Sequence, residues 1–297
     1  MKKVWTFVKS LVNPCAASFT QKRDSAKVLT ATSETIEVPV VLSGDAIAGA
    51  DSPFPFVDQT KKRVYGINVY YKSNNSQYKP YAFGLFDNEN DLKIPLVSKY
   101  QYKFECTVVQ GGLDDLYTLE LGGRACYYEP FNPSDWACWS LENVFFDSRK
   151  SGTCLSGMKS GYSNVKSGNY YRKMNYPATD RLYGELEGYT PQANDTVVIP
   201  MIRTAFGARL VLTPPCSGRA KISSTFCDVE LELVNGETTT IESLYTFSKV
   251  YKCWQQPEDY AEDFKIELTW YPGDGTKRTS IKTATMKRNS LTTVNFF

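Results

Sequence analysis

Hydrophobic residues recur at every second position in segment after segment of this 297-residue chain, and no other feature constrains its fold as tightly. Tyr100, Tyr102, Phe104, Cys106 and Val108 alternate with Gln101, Lys103, Glu105 and Thr107. Successive side chains of an extended strand point to opposite faces, so the pattern predicts a ribbon with one dry and one wet face. Half-solvated ribbons of this kind build the antiparallel sheets of sandwiches and barrels. The expectation is an all-β chain.

By this criterion strands fall at residues 35–42, 64–72, 81–86, 92–97 and 100–109. They return at 196–202, 207–213, 228–234, 241–247, 264–271, 280–286 and 291–296, with a short helix as the alternative for 241–247. Turn-forming clusters at 73–76, 272–275 and 287–290 punctuate them. The spacing pairs 64–72 with 81–86, and 92–97 with 100–109, as hairpins. Residues 110–185 break the rhythm with Gly, Ser, Asn and Tyr, yet Trp136, Trp139, Phe145 and Phe146 within them need something to pack against. That stretch therefore reads as a long decorated insertion rather than a linker. The division expected is a flexible leader at 1–30, a first β-domain at 31–185 carrying the excursion 110–185, and a second at 186–297.

Charge and composition narrow the chemistry. With 34 basic and 32 acidic residues the chain carries +2, which gives nucleic acid no electrostatic footprint. Histidine is absent, which removes imidazole-based triads, Cys-His nucleophiles and His-ligated metals. No catalytic, cofactor or metal site is expected, although paired carboxylates or tyrosines survive the exclusion. None of the eight cysteines is spaced as CxxC. Cys126, Cys138 and Cys154 are close enough in sequence to pair locally, and buried free thiols are the other reading. Met1-Lys2-Lys3 and the apolar residues 4–8 begin like an export signal that Lys9 interrupts, and Cys15 after Pro14 departs from a lipoprotein box. No apolar run approaches the ~20 residues needed to span a bilayer, so a soluble body is expected.

Two segments invite a functional reading. Residues 126–139 gather Tyr127, Tyr128, Trp136 and Trp139 with Glu129, Asn132 and Asp135. Rings that stack on sugar C–H faces beside groups that take hydroxyls suit a glycan-binding surface, and the alternative is a loop-borne mini-core. The carboxylates of 258–263 read as a solvated acidic loop more readily than as a Ca²⁺ site, because no regular ligand spacing accompanies them.

Three stretches carry a family resemblance. Residues 81–87 leading into 100–104, residues 199–210 with Arg203 before a small apolar run, and the ending 287–296 resemble fimbrillin-like surface proteins of Bacteroides-type bacteria. The resemblance implies two tandem β-sandwiches of transthyretin-like, Greek-key type. It also implies a place at the cell surface or outer membrane, or secretion, and non-enzymatic adhesion by assembly with other fimbrial or surface subunits. In polymerising members an arginine-specific cleavage opens a groove for a donor strand. Arg23 is the arginine placed for such processing, and Leu291, Val294 and Phe296 form the candidate donor strand. The same tail also reads as the protein's own last core strand. A carbohydrate-binding surface protein is the alternative function.

Overall fold

The computed structural model describes residues 27–44, 60–73, 76–121, 124–134, 139–167 and 170–297. Its architecture is all-β. The first sheet is built from β1 (Thr35–Gly44), β2 (Arg63–Lys72), β3 (Lys79–Phe86), β4 (Lys93–Val97), β5 (Gln101–Gln110), β8 (Val144–Asp147), β11 (Asp180–Tyr189) and β12 (Val197–Arg203). They lie in the order β4-β1-β12-β11-β5-β2-β3-β8. The sheet closes over a core in which Val38, Ile94 and Ile199 join Tyr102, Phe104 and Ile67. A Tyr102 or Phe104 turned to solvent would contradict the alternation, and both are fully buried.

The second sandwich stacks two sheets. One runs β16 (Thr239–Thr246), β13 (Ala205–Leu212), β19 (Leu291–Phe296). The other runs β15 (Asp228–Leu233), β14 (Gly218–Ser223), β17 (Ala261–Pro272), β18 (Arg278–Lys287). Phe206, Leu210 and Phe296 from the first meet Ile222, Phe264 and Trp270 from the second in a shared core. The β18 face of this sandwich is wet: Ile281 is 62% exposed.

Partner choice differs from the expectation in several places. Segment 64–72 does pair with 81–86, but β4 pairs with β1 and not with β5, which lies between β2 and β11. The chain turns a corner between β4 and β5. There the Tyr102 hydroxyl accepts from the Val97 N–H (2.8 Å) and donates to the Val97 carbonyl (3.2 Å). The turn after β18 likewise carries the chain into the facing sheet, where β19 runs parallel to β13. A second parallel ladder joins β1 to β12, so the sheets are not wholly antiparallel. Residues 239–246 are strand, and the helix of this region lies at Val250–Gln255. The expected boundary at 185/186 falls inside β11, and β12 returns to the first sheet, which therefore extends to Arg203.

The excursion is folded onto the first sheet's second face. It contributes two hairpins, β6 (Thr118–Leu121) with β7 (Arg124–Tyr127), and β9 (Ser163–Ser167) with β10 (Tyr170–Met174). Asn68, in β2, uses its amide as a strand neighbour would: Nδ2 donates to the Leu155 carbonyl (2.9 Å) and Oδ1 accepts from the Leu155 N–H (2.8 Å). Gly66 leaves room for the Phe131 ring, which a Cβ would meet at 2.6 Å. The Arg181 guanidinium, wholly buried, donates to the Gly157, Met158 and Ser160 carbonyls and to Thr107 Oγ1. Burial lowers its pKa to about 9. The same loop is tied to the second sandwich, where Gly161 N–H donates to the Ser248 carbonyl and Tyr251 N–H to the Lys159 carbonyl.

Candidate functional site

The outer edge of the first sheet, at β8, is continued by residues 27–29. Leu29 N–H donates to the Phe145 carbonyl (2.8 Å), Asp147 N–H donates to the Lys27 carbonyl (2.9 Å), and Val28 bridges Phe146 in antiparallel register. Leu29 is buried with the first core while Val28 is 45% exposed. An extended segment thus satisfies the sheet edge with two backbone bonds and one apolar plug, the geometry of strand addition. Beside it Asp147 pairs with Arg149, whose guanidinium lies 5.3 Å from the Tyr81 ring centre. The hydrogen bond from Arg149 holds the Asp147 carboxyl below its ordinary value. Arg23 lies outside the described residues.

The aromatic segment divides in two. Tyr127 and Trp139 are core residues, Trp139 packing on Phe83 and Phe146 and Tyr127 on Phe131. Burial pushes the Tyr127 phenol up to about 12. A ligand cannot stack on these two rings, so the glycan assignment fails for them and the mini-core reading describes them. Trp136 lies outside the described residues. Cys126 is disulfide-bonded, whereas Cys154 is a free thiol, as are Cys106, Cys216, Cys227 and Cys253. A shallow cavity of about 370 Å³ borders Tyr127, lined also by Ala125, Ser140, Leu141 and Glu142.

Tyr128 instead points away from that core, into a cluster the sequence reading missed. Its ring lies 5.8 Å from Tyr171 at an interplanar angle of 16°, and 5.6 Å from Tyr117, which is itself 5.1 Å from Tyr171. Partial burial, with the neighbouring Tyr117 and Tyr171 phenols, raises the Tyr128 pKa. Lys173 Nζ reaches Glu129 Oε1 at 3.2 Å and lies 5.1 Å from the Tyr162 ring centre. The only sequence signal for the cluster was the Tyr170-Tyr171 doublet between breakers.

Two carboxylates do approach one another. Glu105 and Glu185 are buried on the covered face, and the Tyr183 hydroxyl lies 2.9 Å from Glu105 Oε1 and 2.5 Å from Glu185 Oε1. Asn68 and Tyr70 donate to Glu105, and Lys103 and Lys159 pair with Glu185. Burial would raise Glu185, but the bonds from Lys103, Tyr183 and Lys159 outweigh it and the carboxyl is held low. A glycosidase needs its substrate between two such acids. Here a tyrosine fills that position, so the pair is a clamp. The acidic segment 258–263 is split by strand alternation: Glu262 accepts from the Tyr176 and Tyr260 hydroxyls, while Asp263 accepts from Thr285. Among the described residues no His, Cys, Asp and Glu group is arranged to hold a metal.

Leu291, Val294 and Phe296 sit in the chain's own sandwich. β19 pairs with β13 over six residues, and Val294 and Phe296 are core. Donating this strand elsewhere would empty that core, so these residues are not a free donor in this fold. The turn before it meets the other resemblance-bearing segment: Arg203 forms a bidentate pair with Asp180 (2.7 and 2.8 Å), lies 3.4 Å from Asn289 Oδ1, and accepts on its carbonyl from Arg288. The two motifs therefore build the junction between the sandwiches.

No family model matches the chain, and no curated protein matches it. Solved structures do. One, described as polysaccharide-binding and from Bacteroides thetaiotaomicron, is 11% identical over 82% of this chain and 78% of its own, with a TM-score of 0.34. Another, described as a cell adhesion protein from Bacteroides eggerthii, is 11% identical over 89% of this chain and 87% of its own, with a TM-score of 0.38. The fimbrial anchor protein of Porphyromonas gingivalis is 10% identical over 83% of this chain and 81% of its own, with a TM-score of 0.30. At such identities and TM-scores these proteins are what the chain is similar to, and they assign it no activity.

Proposed function

We propose that this chain is a non-enzymatic cell-surface or secreted adhesion subunit that assembles with other surface subunits by strand addition at the β8 edge. The observation that carries the reading is the docking of residues 27–29 on that edge through two backbone hydrogen bonds and the Leu29 plug. Main-chain bonding gives an edge affinity for any extended segment, and the pocket under Leu29 gives it selectivity. Among the described residues this segment is held to β8 by two backbone bonds and one bridge, so an equivalent segment from a neighbour can compete for the same edge. The buried charges support the same reading, because Glu105, Glu185, Arg181 and Arg203 are each committed to partners that hold the fold. Among the described residues no helix is long and apolar enough to cross a membrane.

Cleaving the full chain with an arginine-specific protease and running native gels tests the proposal. Trimming at Arg23 leaves residues 27–29 on the chain with a free end close by, able to exchange onto a neighbour's β8 edge, and is expected to give ladders of oligomers. Asp147→Pro removes the outward N–H of β8 and is expected to abolish them, since proline is tolerated on an edge but cannot donate. A trimmed chain that stays monomeric, or ladders that persist in Asp147→Pro, would refute assembly at this edge.

A further inference from the structure

We propose that the Tyr171 face of the β9–β10 hairpin, with Tyr117 and Tyr128 packed against it, binds a pyranose ring of a neutral glycan. Register fixes the face. Tyr171 pairs with Lys166 and Lys173 with Asn164, and directly opposed residues share a side of a ladder. Tyr171, Lys173 and Asn164 therefore project together, while Tyr170 and Arg172 project to the other side.

Two observations on this face select a sugar, and a third shows how its rings are held. Tyr171 is 54% exposed although its ring lies within 6 Å of two other tyrosines, so the cluster presents aromatic surface to solvent. Such a surface takes the C–H face of a pyranose, and phenol hydroxyls at its rim take sugar hydroxyls. Next to the rings, Glu129 accepts and Lys173 donates, a pair suited to two neighbouring hydroxyls. Asn164 holds the three rings in place, its N–H donating to the Glu129 carbonyl (3.0 Å) and its carbonyl accepting from the Tyr117 N–H (2.8 Å). A protein partner would favour a broader apolar patch. A charged ligand would meet Glu129 and Lys173 with opposite preference, which leaves a neutral sugar as the matching chemistry.

The test is a printed glycan array probed with the full chain, followed by calorimetric titration of the best-retained neutral oligosaccharide. Tyr171→Ala is expected to weaken binding about three- to tenfold, the range that one lost aromatic stacking contact converts to. Tyr171→Phe keeps the ring and is expected to bind within about twofold of the parent, as is Tyr170→Ala on the opposite face. Should Tyr171→Ala fail to fold, Lys173→Met serves, and it too is expected to bind more weakly. The proposal is overturned if no neutral glycan is retained at about 1 mM, if Tyr171→Ala and Lys173→Met bind like the parent, or if Tyr170→Ala loses as much as Tyr171→Ala. Gel laddering does not involve this face, so the two proposals fail independently.

Discussion

Glu105 of β5 and Glu230 of β15 occupy equivalent places in their strands, each flanked by apolar residues that enter a core, yet one is 4% exposed and the other lies on a wet face. In the second sandwich the alternation does what its periodicity says. Val229, Leu231 and Leu233 turn toward the core, and Glu230 faces Lys221 across the ladder in solvent. In the first sheet the excursion lies over the polar side of β2, β5 and β11. Asn68, Glu105, Thr107, Arg181, Tyr183 and Glu185 are all buried there. What would be a solvated face becomes a polar network between two dry layers. A period of two therefore tells which residues share a side, but not whether that side meets water.

The sharpest way to break this comparison is to remove one glutamate from each region. Glu105→Ala takes the acceptor from one Asn68 amide hydrogen and from the Tyr70 hydroxyl inside the network, and is expected to cost about 3–5 kcal/mol in urea unfolding. Glu230→Ala is expected to change stability by no more than about 0.5 kcal/mol. Equal costs would show that the excursion does not seal the first sheet. Phe296→Ala probes the second sandwich from within and is expected to cost about 3–5 kcal/mol, as a large buried ring lost from a packed core. A value near zero would mean that β19 is not held in its own sheet.

Acid titration separates the regions more finely. Glu185 has a folded-state pKa below its ordinary 4.5. Its contribution is therefore complete above that value and disappears as pH falls through the lower folded one. Urea midpoints taken from pH 7 to pH 3 should drop for the parent and drop less for Glu185→Gln. An unchanged acid limb would sink the view that Lys103 and Lys159 stabilise this carboxylate. The smallest effect belongs to the open face, where Ile281→Thr should shift the midpoint by less than the equivalent of about 0.5 kcal/mol.

Several elements escaped the sequence for reasons that can be named. β11 has the alternation, but its two sides read Arg181, Tyr183, Glu185 and Leu182, Gly184, Leu186, and polarity on the first hid a strand destined for burial. β14, with Arg219, Lys221 and Ser223 on one side, is too short and basic to stand out. The β4–β5 corner looked like a hairpin because hairpins and sheet-crossing corners use the same turn residues. In the aromatic segment, local composition could not tell Tyr127 from Tyr128. Adjacent strand-end residues point oppositely, and one enters the core while the other joins Tyr117 and Tyr171.

The order of residues alone determined that the chain would be strands, roughly where most of them lie, and which side chains share a face, because those properties follow from the pleat. Only the tertiary structure decided which strands become neighbours, that β1 runs parallel to β12 and β19 to β13, and that the polar side chains of the first sheet's covered face are dry. Those outcomes depend on segments many residues away. Asn68 is closed off by Leu155, and Arg181 by the carbonyls of 157–160. The rings of Tyr117, Tyr128 and Tyr171 meet because the chain on either side of the β6–β7 hairpin is bonded to β9, the partner of β10, a juxtaposition that no local periodicity encodes.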